Sequence, residues 1–162
     1  MPDAVAIARA TAADLPAVVD LCMLVEAQHQ AYNPARWTTR PGIREGYLRW
    51  LTSHLADPNM LILAAKTAGP QPQVVGTLLG AIETEIPIYT YDRYAFIHDL
   101  AVAASHRRHG IARRLLAEAR TWAKALGLPH LRLMVAAQNP EAEALFRAAG
   151  FQETYHEMIL PL

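Results

Sequence analysis

A single cysteine, Cys22, stands in the whole chain, so no intrachain disulfide can form and a reducing compartment is the simplest setting. It lies in the apolar stretch Val18-Val19-Asp20-Leu21-Cys22-Met23-Leu24-Val25, where a thiol reads as a buried, inert side chain and not as a nucleophile. An excess of charge of one sign is missing too. The 15 Lys and Arg balance the 15 Asp and Glu, which gives no ground for a nucleic acid or an anionic membrane as partner. No apolar run approaches the roughly 18–20 residues that cross a bilayer. Met1-Pro2-Asp3 opens without the basic-then-apolar pattern of a secretory signal, so a cytoplasmic protein is expected. The histidines lack metal-ligand spacing, so no metal site is expected.

What is present is an ordinary globular composition. With 52% hydrophobic and 19% charged residues over 162 positions, residues 1–162 are expected to form one domain with a sizeable core. The densest Gly/Pro stretch, Ala68-Gly69-Pro70-Gln71-Pro72-Gln73, is short and lies between apolar runs, so it reads as a loop joining strands.

Periodicity then orders the elements. A strand is expected at 5–8, and Thr11-Ala12-Ala13-Asp14 resembles a capping box for a helix to about residue 30. A second helix is expected over 42–55, with Ile43, Tyr47, Trp50 and Leu51 on one face. Strands follow at 60–65, 74–82 and 94–102, the first two as an antiparallel pair. Ala112, Leu115, Leu116, Ala119, Ala123 and Leu126 keep helical spacing from Ile111, and Gly127 suits the C′ position. A strand over 131–135 leads to a helix that Asn139-Pro140 opens and Gly150 closes. One or two final strands are expected over 151–160. An antiparallel meander followed by a strand–helix–strand crossover makes the sheet mixed, an α/β (α+β) arrangement.

The chemistry concentrates between the strand at 94–102 and the helix from Ile111. A strand delivers the chain into Arg107-Arg108-His109-Gly110-Ile111-Ala112, and the first-turn N–H groups of the next helix lack internal partners at the positive end of its dipole. That is an anion site, and a diphosphate suits it. Gly110 removes a side chain where backbone must approach phosphate, Ala112 keeps the next contact small, and Arg107, Arg108, Arg113 and Arg114 add positive charge. Neither a Walker loop nor the three-glycine dinucleotide fingerprint fits the segment. A basic turn capping an ordinary helix is the bland alternative.

Arg107-x-x-Gly110-x-Ala112 resembles the Arg/Gln-x-x-Gly-x-Gly/Ala motif of the GNAT superfamily of N-acetyltransferases. Asn139-x-x-Ala142-x-x-Leu145-Phe146-x-x-x-Gly150-Phe151 is similar to that family's second motif, in the same order and context. The resemblance implies a mostly antiparallel sheet of about six to seven strands flanked by about four helices and splayed at a CoA cleft. It implies transfer of an acetyl group from acetyl-CoA, as cosubstrate and without a metal, to an amine. Backbone of Leu100, Ala101 and Val102 would pair with the pantetheine arm, with the Ala101 or Val102 N–H as oxyanion donor. Arg107, Arg108, His109, Gly110, Ile111, Ala112 and Arg113 would hold the pyrophosphate. Asn139 and Phe146 would line the groove, besides acting as N-cap and core residue.

An alkylammonium must lose a proton before it attacks, so a base is required. His98, standing where related sequences often carry Glu in Glu-Asp-Leu, is one candidate, since an imidazole titrates near about 6.5. Glu83 is the other, and Glu85 a weaker third. Strand alternation places His98 and Asp99 on opposite faces. Phe146 departs from the family, many of whose members carry there a tyrosine that protonates the leaving thiolate; Tyr155 is the substitute considered. Glu26, Glu83, Glu85 and the aromatics of 32–37 and 89–94 are expected to face a small-molecule amine. An acyl-CoA-binding module without turnover is the competing reading. A homodimer through the edge of the C-terminal strands is the expected assembly.

Overall fold

The computed structural model describes residues 4–162, so Met1-Pro2-Asp3 lies outside the described residues. The elements run β1 (Val5–Arg9), α1 (Leu15–Tyr32), α2 (Ile43–His54), β2 (Met60–Thr67), β3 (Val74–Thr84), β4 (Arg93–Val102), α3 (Ile111–Ala125), β5 (Leu131–Leu133) and α4 (Pro140–Ala148), with one 3-10 turn at Ala104–His106. The sheet order is β1-β2-β3-β4-β5, antiparallel up to β4 and parallel from β4 to β5. The mixed sheet expected from the element order is therefore present.

Period-two alternation in the central strands serves two cores. Leu61, Leu63, Leu78 and Ile97 meet Ile111, Leu115, Leu116 and Ala119 of α3 on one face. Ile62, Ala64 and Leu79 meet Leu15, Val18, Val19, Cys22 and Leu51 of α1 and α2 on the other. Cys22 is fully buried, as its apolar setting requires, and burial pushes its thiol well above the ordinary range. Trp50 shares a face of α2 with Tyr47 and is more exposed than Leu51 on the same helix. Its ring stacks on that of Tyr47, centroids 5.5 Å apart, and the residue is 37% exposed.

Helix ends follow their signals. Gly127 (φ 67°) closes α3 with Leu128 N–H donating to the Ala123 carbonyl, and Gly150 (φ 95°) closes α4 with Phe151 N–H donating to Phe146. Asn139 Oδ1 accepts from Ala142 N–H at 3.1 Å and opens α4. The box at Thr11 is one-sided. Asp14 reaches back to the Thr11 N–H and hydroxyl, both at 2.8 Å, and pairs with Lys66, while α1 itself starts at Leu15.

Two expectations are corrected at the C-terminal side. The sheet has five strands among the described residues, not six to seven, and residues 151–160 form none. Apolar residues make a strand only where an edge accepts their backbone and a layer covers their side chains. β5 offers three residues, Met158 is 93% exposed, and ion pairs of Glu153 with Arg147 and of Glu157 with Arg36 hold the segment to α4 and the α1–α2 connection. The C-terminal strand edge invoked for a homodimer is accordingly not formed.

β5 pairs with β4 only from Ala95 to Ile97, whereas β4 continues to Val102. The two strands part there, and α3 begins close to the end of β4, with Ile111 packed over β2 and β3. Gly76, paired with Val102, lets α3 sit close: a Cβ on it would meet Ile111 Cγ2 at 3.1 Å, Ala65 Cβ at 3.3 Å and the Ala101 carbonyl at 3.4 Å. Gly76→Val should overpack this seat and lower the unfolding free energy by about 1–3 kcal/mol in denaturant titration. An unchanged midpoint would contradict the close packing.

Candidate active site

The register of β3 against β4 breaks at one place. Leu79 pairs with Asp99 and Gly80 with Ile97, which leaves His98 as an extra residue, a β-bulge. Ile97 and Leu100 both pack in the α3 core, so the two residues between them share the opposite face. His98 tilts against Phe96 with ring centroids 5.0 Å apart, and Asp99 accepts a hydrogen bond from the Tyr47 hydroxyl of α2. The opposite-face placement from simple alternation is thus corrected: the bulge turns both side chains toward α1 and α2.

The same register orients the backbone. Ala103 N–H donates to the Val75 carbonyl at 2.8 Å, which makes Ala101, two residues back, point its N–H and C=O into β3 as well. Leu100 and Val102 point theirs the other way, into the gap that β5 vacates. Of the two oxyanion donors considered, Ala101 is therefore committed to the ladder and Val102 is free. The Val102 carbonyl accepts from Arg107 Nε at 3.1 Å, tying the turn to the strand end.

Beyond that tie, the turn opens to solvent. Arg108 (φ 66°) and Gly110 (φ 76°) are both left-handed, and no side chain caps α3. A Cβ on Gly110 would have nothing within 4 Å. Ile111, Ala112 and Arg113 supply first-turn N–H groups, since the first intrahelical bond runs from Arg114 N–H to Gly110. His109 and Arg113 are exposed at the same end. Arg114 leaves the group, its guanidinium donating to the Val5 carbonyl at 2.8 Å. This open, unpaired helix start beside a free strand edge suits a diphosphate joined to an amide-bearing arm, as CoA carries.

On the α1/α2 face, His98 Nε2 lies 3.0 Å from Glu83 Oε1, and the two are 37% and 40% exposed. Asp99 is only 7% exposed. Burial raises its pKa, and the Tyr47 hydrogen bond and the charges of His98 and His29 offset this in part. Glu26 of α1 is raised by burial and then by Asp99, while burial lowers His29, whose Nδ1 is sealed without a partner. His29 stacks on Trp37 at 4.6 Å. Carboxylates and imidazoles thus share this face, and no lysine or arginine is paired with them among the described residues.

The remaining candidates separate. Glu85 is held by Arg132 at 2.5 Å, which also lies over the Tyr94 ring, so it braces β5 against β4. Phe146 packs in the α3 core, edge-on to Phe151 at 5.9 Å. Tyr155 is 64% exposed and donates to the Met134 sulfur at 3.2 Å, with no contact to His98 or Glu83. Asp99 and Tyr47 are the residues sequence reasoning missed. The available signal was Gly80, a glycine inside a strand pattern, which sits against the Phe96 carbonyl at the bulge.

Residues 23–151 match the model of the acetyltransferase (GNAT) family. The chain belongs to that family. It is similar to an uncharacterized N-acetyltransferase, YycN, of Bacillus subtilis (strain 168), 34% identical over 52% of this chain and 51% of the relative. It is similar also to an aminoglycoside N(6')-acetyltransferase type 1 of Acinetobacter haemolyticus, 36% identical over 36% of this chain and 41% of the relative. The matched regions thus span about half or less of these relatives. The fold is shared with the crystal structure of an aminoglycoside antibiotic 6'-N-acetyltransferase from Acinetobacter haemolyticus: TM-score 0.71, 24% identity, 96% of each chain covered. No helix of the described residues is long and apolar enough to cross a membrane.

The buried carboxylate carries a stability consequence. A carboxyl whose folded pKa is raised contributes stability that is fully present below its unfolded value and lost as pH rises through the folded value. Asp99→Asn removes that titration. Its melting temperature relative to the parent protein should therefore rise progressively from acid to neutral pH; a pH-independent difference would contradict burial of the charge.

Proposed function

We propose that this chain is an acetyl-CoA-dependent N-acetyltransferase acting on a small cationic primary amine. The observation that carries the reading is the free edge of β4 at Leu100 and Val102 running directly into the unpaired first turn of α3 at Gly110. Leu100 and Val102 would hydrogen-bond the pantetheine arm. Arg107, Arg108, His109, Gly110, Ile111, Ala112 and Arg113 would hold the pyrophosphate, and Asn139, beside capping α4, would face the same groove. When bound, acetyl-CoA supplies an activated acyl thioester, and the Val102 N–H, which points away from β3, would donate to the negative charge that develops on its carbonyl oxygen.

The acceptor belongs on the other side of the gap. Glu26, Glu83 and Asp99 with His98 present negative and titratable groups that attract an ammonium and supply a base for its proton. Phe146 has no proton to give, and Tyr155 is engaged with Met134, so the thiolate departs without a protein acid. The likeness to aminoglycoside acetyltransferases supports a small, polyamino acceptor over a protein N-terminus.

Free thiol released from acetyl-CoA across a panel of polyamines, aminoglycosides, amino acids and peptides tests the reading. Release with a polyamino compound is expected; tight CoA binding with no release from any amine would favour an acyl-CoA-binding module. Gly110→Glu places a carboxylate in the phosphate space and should abolish CoA binding while leaving the circular dichroism of the fold intact. Retained affinity would overturn the cradle.

A further inference from the structure

Four groups on the α1/α2 face compete for the proton of the acceptor, and their settings differ. Glu83 already holds His98 Nε2, and both side chains are more than a third exposed. Glu26 of α1 is raised by burial and then by Asp99 itself. Asp99 is the carboxylate the bulge delivers beside His98. Its Oδ2 accepts from Tyr47, no donor among the described residues reaches Oδ1, and Oδ1 is not among the sealed unpartnered atoms. It therefore keeps an open side. The titratable groups around it are Cys22, Glu26 and His29 of α1, Tyr47 of α2 and His98 of β4, with Glu83 of β3 behind His98. None is a fixed cation. A buried carboxylate in that company has no permanent charge partner, and an ammonium offering a proton supplies one.

We propose that Asp99 is the catalytic base that takes the proton of the acceptor ammonium, and that Tyr47 is the positioning residue that holds it toward the gap. This rests on the N-acetyltransferase reading above. An N–H bond of the ammonium breaks as an O–H bond forms on Asp99 Oδ1, leaving a neutral amine and a carboxylic acid. The freed nitrogen lone pair forms the new bond to the thioester carbonyl carbon, and the C–S pair leaves with sulfur. The nitrogen then gives its next proton to that sulfur, and Asp99 returns its own to solvent. His98, fixed by Glu83, lines the path of the amine.

The pH dependence of kcat/KM separates this assignment from one resting on His98 or Glu83. The Tyr47 hydrogen bond favours the charged carboxylate, so Tyr47→Phe should move the rising limb of the profile to higher pH. Asp99→Asn should lower kcat by about 100-fold or more, the scale of general-base catalysis, with CoA affinity unchanged. Glu83→Gln should lower the rate and leave the limb in place. Should Tyr47→Phe fold poorly, carboxyl carbon NMR of the parent protein follows Asp99 directly, and a titration coinciding with the kinetic limb is expected. A limb that persists in Asp99→Asn, stays put in folded Tyr47→Phe, or does not coincide with the Asp99 titration overturns the proposal. Those outcomes require a parent protein that releases thiol. A parent protein that releases none defeats the N-acetyltransferase reading instead.

Discussion

β4 carries one residue more than β3 can pair, and the two sides of the candidate site are arranged around that mismatch. Were His98 paired in register, Asp99 would face α3 and displace Leu100 from the core it shares with Ile97. A carboxylate there would meet Leu115, Leu116 and Ala119, with nothing to hydrogen-bond it. The bulge instead turns His98 and Asp99 toward α1 and α2, where Tyr47 meets Asp99, and restores alternation from Leu100 onward. It also sets which amides face outward, so that Leu100 and Val102, not Ala101, are turned to the gap.

The gap has two further requirements, both local. β5 must stop pairing at Leu133, and α3 must start close beside the end of β4. Gly76 serves the second by leaving room for Ile111, whose seating fixes the direction of the α3 axis and hence of its first N–H groups. Gly110 then turns the chain into the helix through a left-handed conformation without filling the space ahead of it. Strand edge, glycine seat and helix start form one continuous run. On the proposed reading, cofactor lies along that run while the acceptor approaches from the α1/α2 face.

Much of this was legible because it is local. The Arg107-to-Ala112 segment and the Asn139-to-Phe151 segment each carry their own turn chemistry, and the helices and central strands fell within a few residues of their expected spans. Long-range features were not legible. A bulge is a property of two strands, and His98-Asp99 reads as plain alternation until β3 is laid beside it. Apolar residues at 151–160 resemble a strand, yet no edge of sufficient length receives them. Tyr47 was placed on one face of α2 with Ile43, Trp50 and Leu51, but its partner lies 52 residues away, and no local signal names it. Family membership reached the cofactor side through its motifs and left the acceptor face to the geometry.

The central claim is that one continuous run, from the β4 edge into α3, receives CoA. Amide hydrogen exchange with and without acetyl-CoA tests it residue by residue. The account predicts ligand-induced protection at Leu100, Val102 and the first-turn amides of α3, Ile111 to Arg113, with Ala101 unchanged because it is already bonded within the sheet. Protection confined to other segments, or appearing at Ala101 while Leu100 and Val102 stay exchangeable, would contradict it.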